Sequence, residues 1–282
     1  AATDWVMRSY FGRINLSWAD KYLFEGNIRR DGSSRFHKDH RWGTFPSFSL
    51  GWRMSEENFM NSIKWLDMLK LRLSWGALGN NAVDNYEYQS VYNKDNYVLG
   101  NSVVPGLAQI QLANALVSWE TTYVTNIGLD FSLFGSKLDG TIELFNKDTH
   151  DILIDLPAPL LVGNASIPTQ NAARVRNRGM EMNLKWNHRI GKVNYFVGGN
   201  FTFIDNEVTR FKGEERSISG TNMIQEGYPI NIQYVLAVDR ILQTDEDMLF
   251  VEKMIKDAPV DPATGQRVNP FASYGTPKKG DF

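Results

Sequence analysis

The sequence predicts an all-β fold that forms part of a large antiparallel transmembrane β-barrel, with long loops at one end and short turns at the other. Three observations lead there. Long segments alternate between apolar and polar residues, aromatic side chains gather at the ends of those segments, and almost nothing helical separates them. Alternation with a period of two gives a strand one apolar and one polar face. Such strands, repeated, are the signature of a barrel that crosses a bilayer.

The elements follow in order. Over 8 to 18, Gly12, Ile14, Leu16 and Trp18 alternate with Phe11, Arg13, Asn15 and Ser17. Strands at 22 to 30 and 45 to 53 come next, the first with Glu25, Asn27 and Arg29 on its polar face. Residues 54 to 67 place Ser55, Glu56 and Glu57 before Phe59, Met60, Ile63, Trp65 and Leu66, which predicts a short capped helix or turn. Over 68 to 76, Leu69, Leu71, Leu73 and Trp75 alternate with Lys70, Arg72 and Ser74. Strands at 119 to 134, with Asn126 and Asp130, and at 138 to 147, with Glu143, are followed by 177 to 187. There Met180, Met182, Leu184 and Trp186 alternate with Glu181, Asn183 and Lys185. The series closes with 192 to 205, carrying Asn200 and Thr202, and 228 to 242. Finally, 245 to 257 opens on Asp245, Glu246 and Asp247, spaces Met248, Val251 and Ile255 helically, and ends near Lys253 and Lys256. An acidic first turn and a basic last one fit a short amphipathic helix.

Short turns at 19 to 21, 134 to 137 and 187 to 191 contrast with long links at 31 to 44, 77 to 118, 148 to 176 and 206 to 227. Outer-membrane barrels have this asymmetry, tight on the periplasmic side and long on the extracellular side. Composition alone hides the pattern: 42% hydrophobic, 22% charged and a mean hydropathy of -0.36 suit a water-soluble chain equally well. Half of each spanning strand faces a lumen, so such chains average polar. No stretch approaches the roughly 20 apolar residues of a transmembrane helix.

Little in the sequence points to catalysis. There is no cysteine, which excludes disulfides, zinc-thiolate sites and thiol nucleophiles. The histidines at 37, 40, 150 and 188 lack the spacing of a hydrolytic zinc motif, and nucleotide-binding or serine-hydrolase motifs are absent. Acidic pairs such as Glu56 with Glu57 and Asp245 with Asp247 read as solvated loop charge, and 257 to 265 lacks a full calcium-ligand series. A net charge of -2 argues against nucleic acid. No cofactor is expected. Polar residues opposite the apolar rows, among them Arg13, Asn15, Arg29, Arg72, Asn126, Asp130, Glu181, Lys185 and Asn200, are expected to face a lumen. Leu16, Leu71, Leu129 and Leu184 are expected to face lipid, and Trp18, Trp52, Trp75 and Trp186 to lie at its interfaces. Tyr86, Tyr88, Tyr92, Asn93, Asp95 and Tyr97 combine rings and hydrogen-bonding groups in one long loop, a composition suited to a large polar solute.

An ordered set of stretches resembles the SusC/RagA family of TonB-dependent outer-membrane transporters of Bacteroidetes-type bacteria. It comprises Arg29-Arg30-Asp31-Gly32-Ser33-Ser34-Arg35-Phe36, Trp42-Gly43-Thr44-Phe45-Pro46-Ser47, Gly51-Trp52-Arg53 with Glu57-Asn58-Phe59-Met60, and Leu69-Lys70-Leu71-Arg72-Leu73-Ser74-Trp75-Gly76 with Gly79-Asn80. Trp119-Glu120, Asn126-Ile127-Gly128-Leu129-Asp130, Asn177-Arg178-Gly179-Met180-Glu181 and Tyr274 to Phe282 complete it. The resemblance implies that 1 to 282 is part of a 22-stranded barrel, with signal peptide, plug domain, Ton box and final strands outside this sequence. It further implies active import of an oligosaccharide or peptide, with a SusD-like surface lipoprotein and TonB, driven by the proton-motive force, as partners. A passive porin and a soluble carbohydrate-binding β-protein are the alternatives.

Overall fold

A computed structural model of the chain describes residues 3–156, 163, 165–213, 216–235, 241–260, 267–268, 270–271 and 275–281. The chain divides into two compact units, 1–233 and 234–282. In the first, strands run in chain order: β1 (Met7–Trp18), β2 (Tyr22–Ser33), β3 (Trp42–Arg53), β4 (Leu66–Asn80), β5 (Val91–Leu99), β6 (Ser102–Gln111), β7 (Glu120–Leu133), β8 (Leu138–Ile154), β9 (Gln170–Ile190), β10 (Val193–Phe211), β11 (Arg216–Ser219), β12 (Asn222–Gln225) and β13 (Ile232–Gln233). Eight of them form one antiparallel sheet, β1-β2-β3-β4-β7-β8-β9-β10. Its neighbours follow chain order, with the β5–β6 hairpin set aside as a two-stranded ribbon.

Register makes the two faces continuous. One row of directly paired residues reads Leu16, Phe24, Leu50, Leu73, Ile127, Leu144, Met180 and Phe203 across all eight strands. Leu71 and Leu129 sit directly opposite each other on that face, and Leu184 opposes Gly140 and Gly199 there. Since a slip of one residue would move every side chain of a strand to the other face, this agreement over eight strands fixes the pairing.

The tight end is shaped by backbone chirality. Ala19 and Asp20 both have positive φ, 52° and 55°, and Lys21 N–H closes the turn on Trp18 C=O at 3.1 Å. Two successive left-handed residues match the twist of the flanking strands. Aromatic rings line this end: Trp18 stacks on Tyr22 at 5.6 Å and Tyr22 on Trp52 at 6.4 Å, while Trp65 meets Phe134 and His188 meets Tyr195. Trp75 belongs instead to a ladder nearer the long-loop end, between Phe48 and Tyr123.

Of the short capped helix or turn expected over 54 to 67, the turn is what forms. Two single 3-10 turns, Met54–Glu56 and Asn58–Met60, flank an extended Glu57. The cause is a side-chain hub. Tyr22 Oη, Trp52 Nε1 and Lys21 Nζ all donate to the Glu57 carboxylate, at 2.7, 3.2 and 3.1 Å, and reaching them requires the non-helical backbone. These hydrogen bonds, from Tyr22 first, then Trp52 and Lys21, hold the Glu57 carboxyl below its ordinary range.

The long-loop end is more structured than the sequence suggests. Strands β8, β9 and β10 run past the apolar belt, so 148 to 176 and 206 to 227 are partly strand, and 77 to 118 contains β5 and β6. The ninth long strand, expected at 228 to 242, does not form among the described residues; 236 to 240 lie outside them. Gly227 and Asn231 at positive φ and the imide of Pro229 interrupt extension, and Gly227 and Tyr228 fold back onto Val208 instead. Of the stretch 257 to 265, residues 261 to 265 also lie outside the described residues.

Two small cores anchor this end. Phe36, Phe45, Ala77, Val83, Val117 and Trp119 form one, with Phe36 and Val117 fully buried. Trp119 Nε1 donates to Arg41 C=O at 3.0 Å, and Asn81 Nδ2 donates to the buried Ser33 hydroxyl at 3.0 Å, so the β2–β3 loop is tied to the segment joining β4 to β7. Ala173, Val175, Val208 and Phe211 form the other. In the second unit, α1 (Asp245–Asp257) takes the expected span. A reciprocal cap starts it, Asp247 N–H to Thr244 Oγ1 at 3.2 Å and Thr244 N–H to the Asp247 carboxylate at 2.8 Å, and Val251 is its buried residue.

Truncating Phe36 to alanine in the full-length chain should cost about 3–5 kcal/mol of local stability. The measurement is protease sensitivity of 31 to 44, which should rise while the rest of the barrel stays resistant. For Glu57, a depressed folded-state pKa means stabilisation that is present above the unfolded value and lost as pH falls through the folded one. Thermal unfolding of Glu57→Gln should therefore differ most from wild type near neutrality, and the two curves should converge in acid.

Candidate functional site

The sequence-singled polar residues of the sheet share one face, opposite the apolar rows. Arg13, Asn15, Glu25, Asn27 and Arg29 lie on its β1–β2 part. Arg13 Nε donates to Asn27 Oδ1 at 2.7 Å and stands 3.7 Å from Glu25, to which Asn27 also donates. Arg29 Nε is held separately by Asp31, at 2.7 and 2.8 Å. A concave recess of about 820 Å³ opens beside these groups, lined among others by Arg13, Asn27, Arg29, Asp31, Phe45 and Ser47.

The most connected cluster is central. Arg72 Nε donates to both Asp130 oxygens, at 2.9 and 3.1 Å, and its Nη2 lies 3.1 Å from Glu143. Register explains the reach. Arg72 is paired with Gly128, and Gly128 with Glu143, while Asp130 lies diagonally along the same face. A Cβ on Gly128 would fall 2.7 Å from Arg72 Nη2, so the glycine lets the guanidinium lie flat across β7 between its two carboxylates. The pairing fixes an arginine with one cation and two anions on an open polar face, where two-point geometry outlasts a simple surface pair.

Other members stand apart. Glu181 is exposed and occupies the position between Glu143 and Thr202 in the ladder. Lys185 lies 5.1 Å over the Phe196 ring, and Asn200 is exposed opposite Asn183. The buried Asn126 Oδ1 has no hydrogen-bond partner. Sequence reading missed Asp31 as the holder of Arg29, and Phe45 as an aromatic on the polar side. The available signal was parity: both stand at the same alternate positions as Arg29 and Ser47.

The six loop residues are not brought together. Tyr86 Oη donates to Asp4 C=O at 3.0 Å and accepts from Asp4 N–H, and Tyr88 packs edge-on against His37 at 6.1 Å. Asn93, Asp95 and Tyr97 share one face of β5, with Tyr97 covering Gly106, while Tyr92 points to the other.

The family profile described as TonB dependent receptor-like, beta-barrel matches residues 2–235. The chain belongs to this family. It is 34% identical over its whole length to TonB-dependent receptor P39 of Formosa agariphila, covering 27% of that protein, and 36% identical over 77% of its length to TonB-dependent receptor SusC of Bacteroides thetaiotaomicron, covering 22% of it. Among solved structures it is similar to the RagAB peptide transporter, with a TM-score of 0.72, 28% identity and coverage of 80% of this chain and 25% of that one. The chain thus spans about a quarter of the length of these relatives. This TonB-dependent receptor barrel is an outer-membrane protein. The sequence-based assignment to the SusC/RagA group is upheld, since SusC and RagAB are both among the matches.

Gly128→Ala should cost about 1–3 kcal/mol in unfolding by displacing the Arg72 guanidinium from its carboxylates. In an Arg72→Ala background the same change should cost little, and a double-mutant cycle reads the difference.

Proposed function

We infer that the polar face lines the lumen of an energised importer and that the apolar face meets lipid, with the aromatic rows at its two interfaces. The observation that carries this reading is the segregation of faces between the tight turns and the long-loop end over eight paired strands, each long enough to span a bilayer. The cargo is a large polar solute, an oligosaccharide first. Neutral hydrogen-bonding groups such as Asn15, Ser47, Ser74, Thr141, Asn183 and Thr202 dominate this face, and the charges among them are largely paired with one another. Neutral sugars match such a surface. Peptide is the second reading, favoured by the likeness to RagAB, which is a peptide transporter.

Transport in this reading needs a SusD-like surface lipoprotein to hold cargo over the barrel and TonB to convey the proton-motive force. Selectivity is spread across many modest contacts, with Arg72, Asp130 and Glu143 as the rigid centre and Tyr92, Asn93, Asp95 and Tyr97 as outlying contacts on the hairpin.

The test is uptake of labelled oligosaccharides and peptides by cells carrying the full-length chain. Import should stop when the proton gradient is collapsed, and Arg72→Ala should reduce it roughly tenfold at limiting cargo, the loss expected of one charge-assisted contact. Import that survives collapse of the gradient would favour a passive pore and overturn the reading.

A further inference from the structure

On the apolar side of the sheet, at its long-loop end, two arginines stand without an anion. Arg8 and Arg30 are exposed, and neither pairs with a carboxylate among the described residues. Arg30 is directly opposite Tyr10 and Arg8 is opposite Gly32, so the two guanidiniums are diagonal neighbours on one face. Diagonal positions of an antiparallel pair lie about 7–8 Å apart, within reach of one bound group for long side chains.

An aromatic bed supports Arg30. Trp42 stacks on Tyr10 at 6.0 Å, Arg30 lies over the Trp42 ring at 5.4 Å, and the ring sits where a Cβ on Gly32 would be. No position of β1, β2 or β3 on this face is acidic: Tyr10, Gly12, Ile14, Leu16 and Trp18 on β1 face Tyr22 to Gly32 and Trp42 to Trp52 at even numbers. Elsewhere on the same face Arg178 is neutralised by Asp205 and Arg176 by Asp148, each at 3.0 Å. Among the described residues the β1–β2 corner is therefore a net cationic spot on this face.

Its depth is set by the strand. Arg8 is ten residues above Trp18; at about 3.3 Å per residue and a tilt near 40°, that is about 25 Å, the height of the apolar band of an outer-membrane barrel. The long loops mark this end as extracellular. Two unneutralised guanidiniums there lie level with the headgroups of the outer leaflet, whose glycolipid carries phosphate.

We propose that Arg8 and Arg30, beside the stacked rings of Tyr10 and Trp42, form a binding site for a phosphorylated lipid headgroup of the outer leaflet. The guanidiniums share the phosphate oxygens from two sides, and the rings pack against the sugar and acyl boundary below. The site rests on the apolar face meeting lipid. That reading fails separately, if a cysteine replacing Ile14 is labelled by a membrane-impermeant thiol reagent.

The experiment uses the full-length chain in detergent, incubated with phosphorylated lipid A or with the same lipid after phosphatase treatment, and counts retained lipid by native mass spectrometry. Wild type should hold the phosphorylated form. Arg8→Gln and Arg30→Gln should each lower retention roughly fivefold, and the double variant more, with Arg178→Gln changing it less than twofold. The single variants keep the test informative if the double variant does not fold. Equal retention by wild type and the single variants, equal retention of dephosphorylated lipid, or full displacement by excess inorganic phosphate would each overturn the proposal, the last by making it a site for free phosphate.

Discussion

Within a bilayer there is no water to satisfy a peptide group, and the layout of the sheet follows from that constraint. Backbone groups must pair between strands, so eight strands form one sheet that follows chain order with the β5–β6 hairpin set aside. Pairing in turn forces side chains alternately to two faces. The apolar row from Leu16 to Phe203 and the polar groups centred on Arg72 are two outcomes of the same backbone requirement.

A face of charges surrounded by low dielectric is costly unless the charges answer one another. The polar side meets this condition locally: Arg13 with Asn27 and Glu25, Arg29 with Asp31, Arg72 with Asp130 and Glu143. The groups are spaced by register rather than by sequence, and Gly128 matters because its missing side chain leaves room for a guanidinium. The same rule gives Arg8 and Arg30 their interest, since they break it on the opposite wall.

Above the belt, water returns and the peptide constraint relaxes, so structure there depends on side chains. The stretch from Arg29 to Phe36, prominent in the sequence, is anchored by a buried phenylalanine, a buried serine and an arginine-held aspartate. Trp119, at the start of β7, closes that core and bonds to Arg41 across a long sequence gap. These contacts give the long loops fixed roots in the sheet.

The sequence by itself determined the fold class, eight of the long strands, the contents of each face and the span of α1, because periodicity and capping are local and act within a few residues. It failed where distant groups compete with local preference. The local pattern leaves 54 to 67 as helix or turn, which the bonds from Tyr22, Trp52 and Lys21 to the Glu57 carboxylate decide, and Gly227 and Tyr228 bond back to Val208 where the sequence predicts a ninth strand. The scattering of the six loop residues over a hairpin and its base was equally hidden. Only the tertiary structure decided register, and with it which residues became neighbours: Arg72 beside Glu143, Phe36 beside Trp119, Arg8 beside Arg30. Alternation says which way a side chain points, but what it meets there depends on strand pairing, which no local pattern encodes.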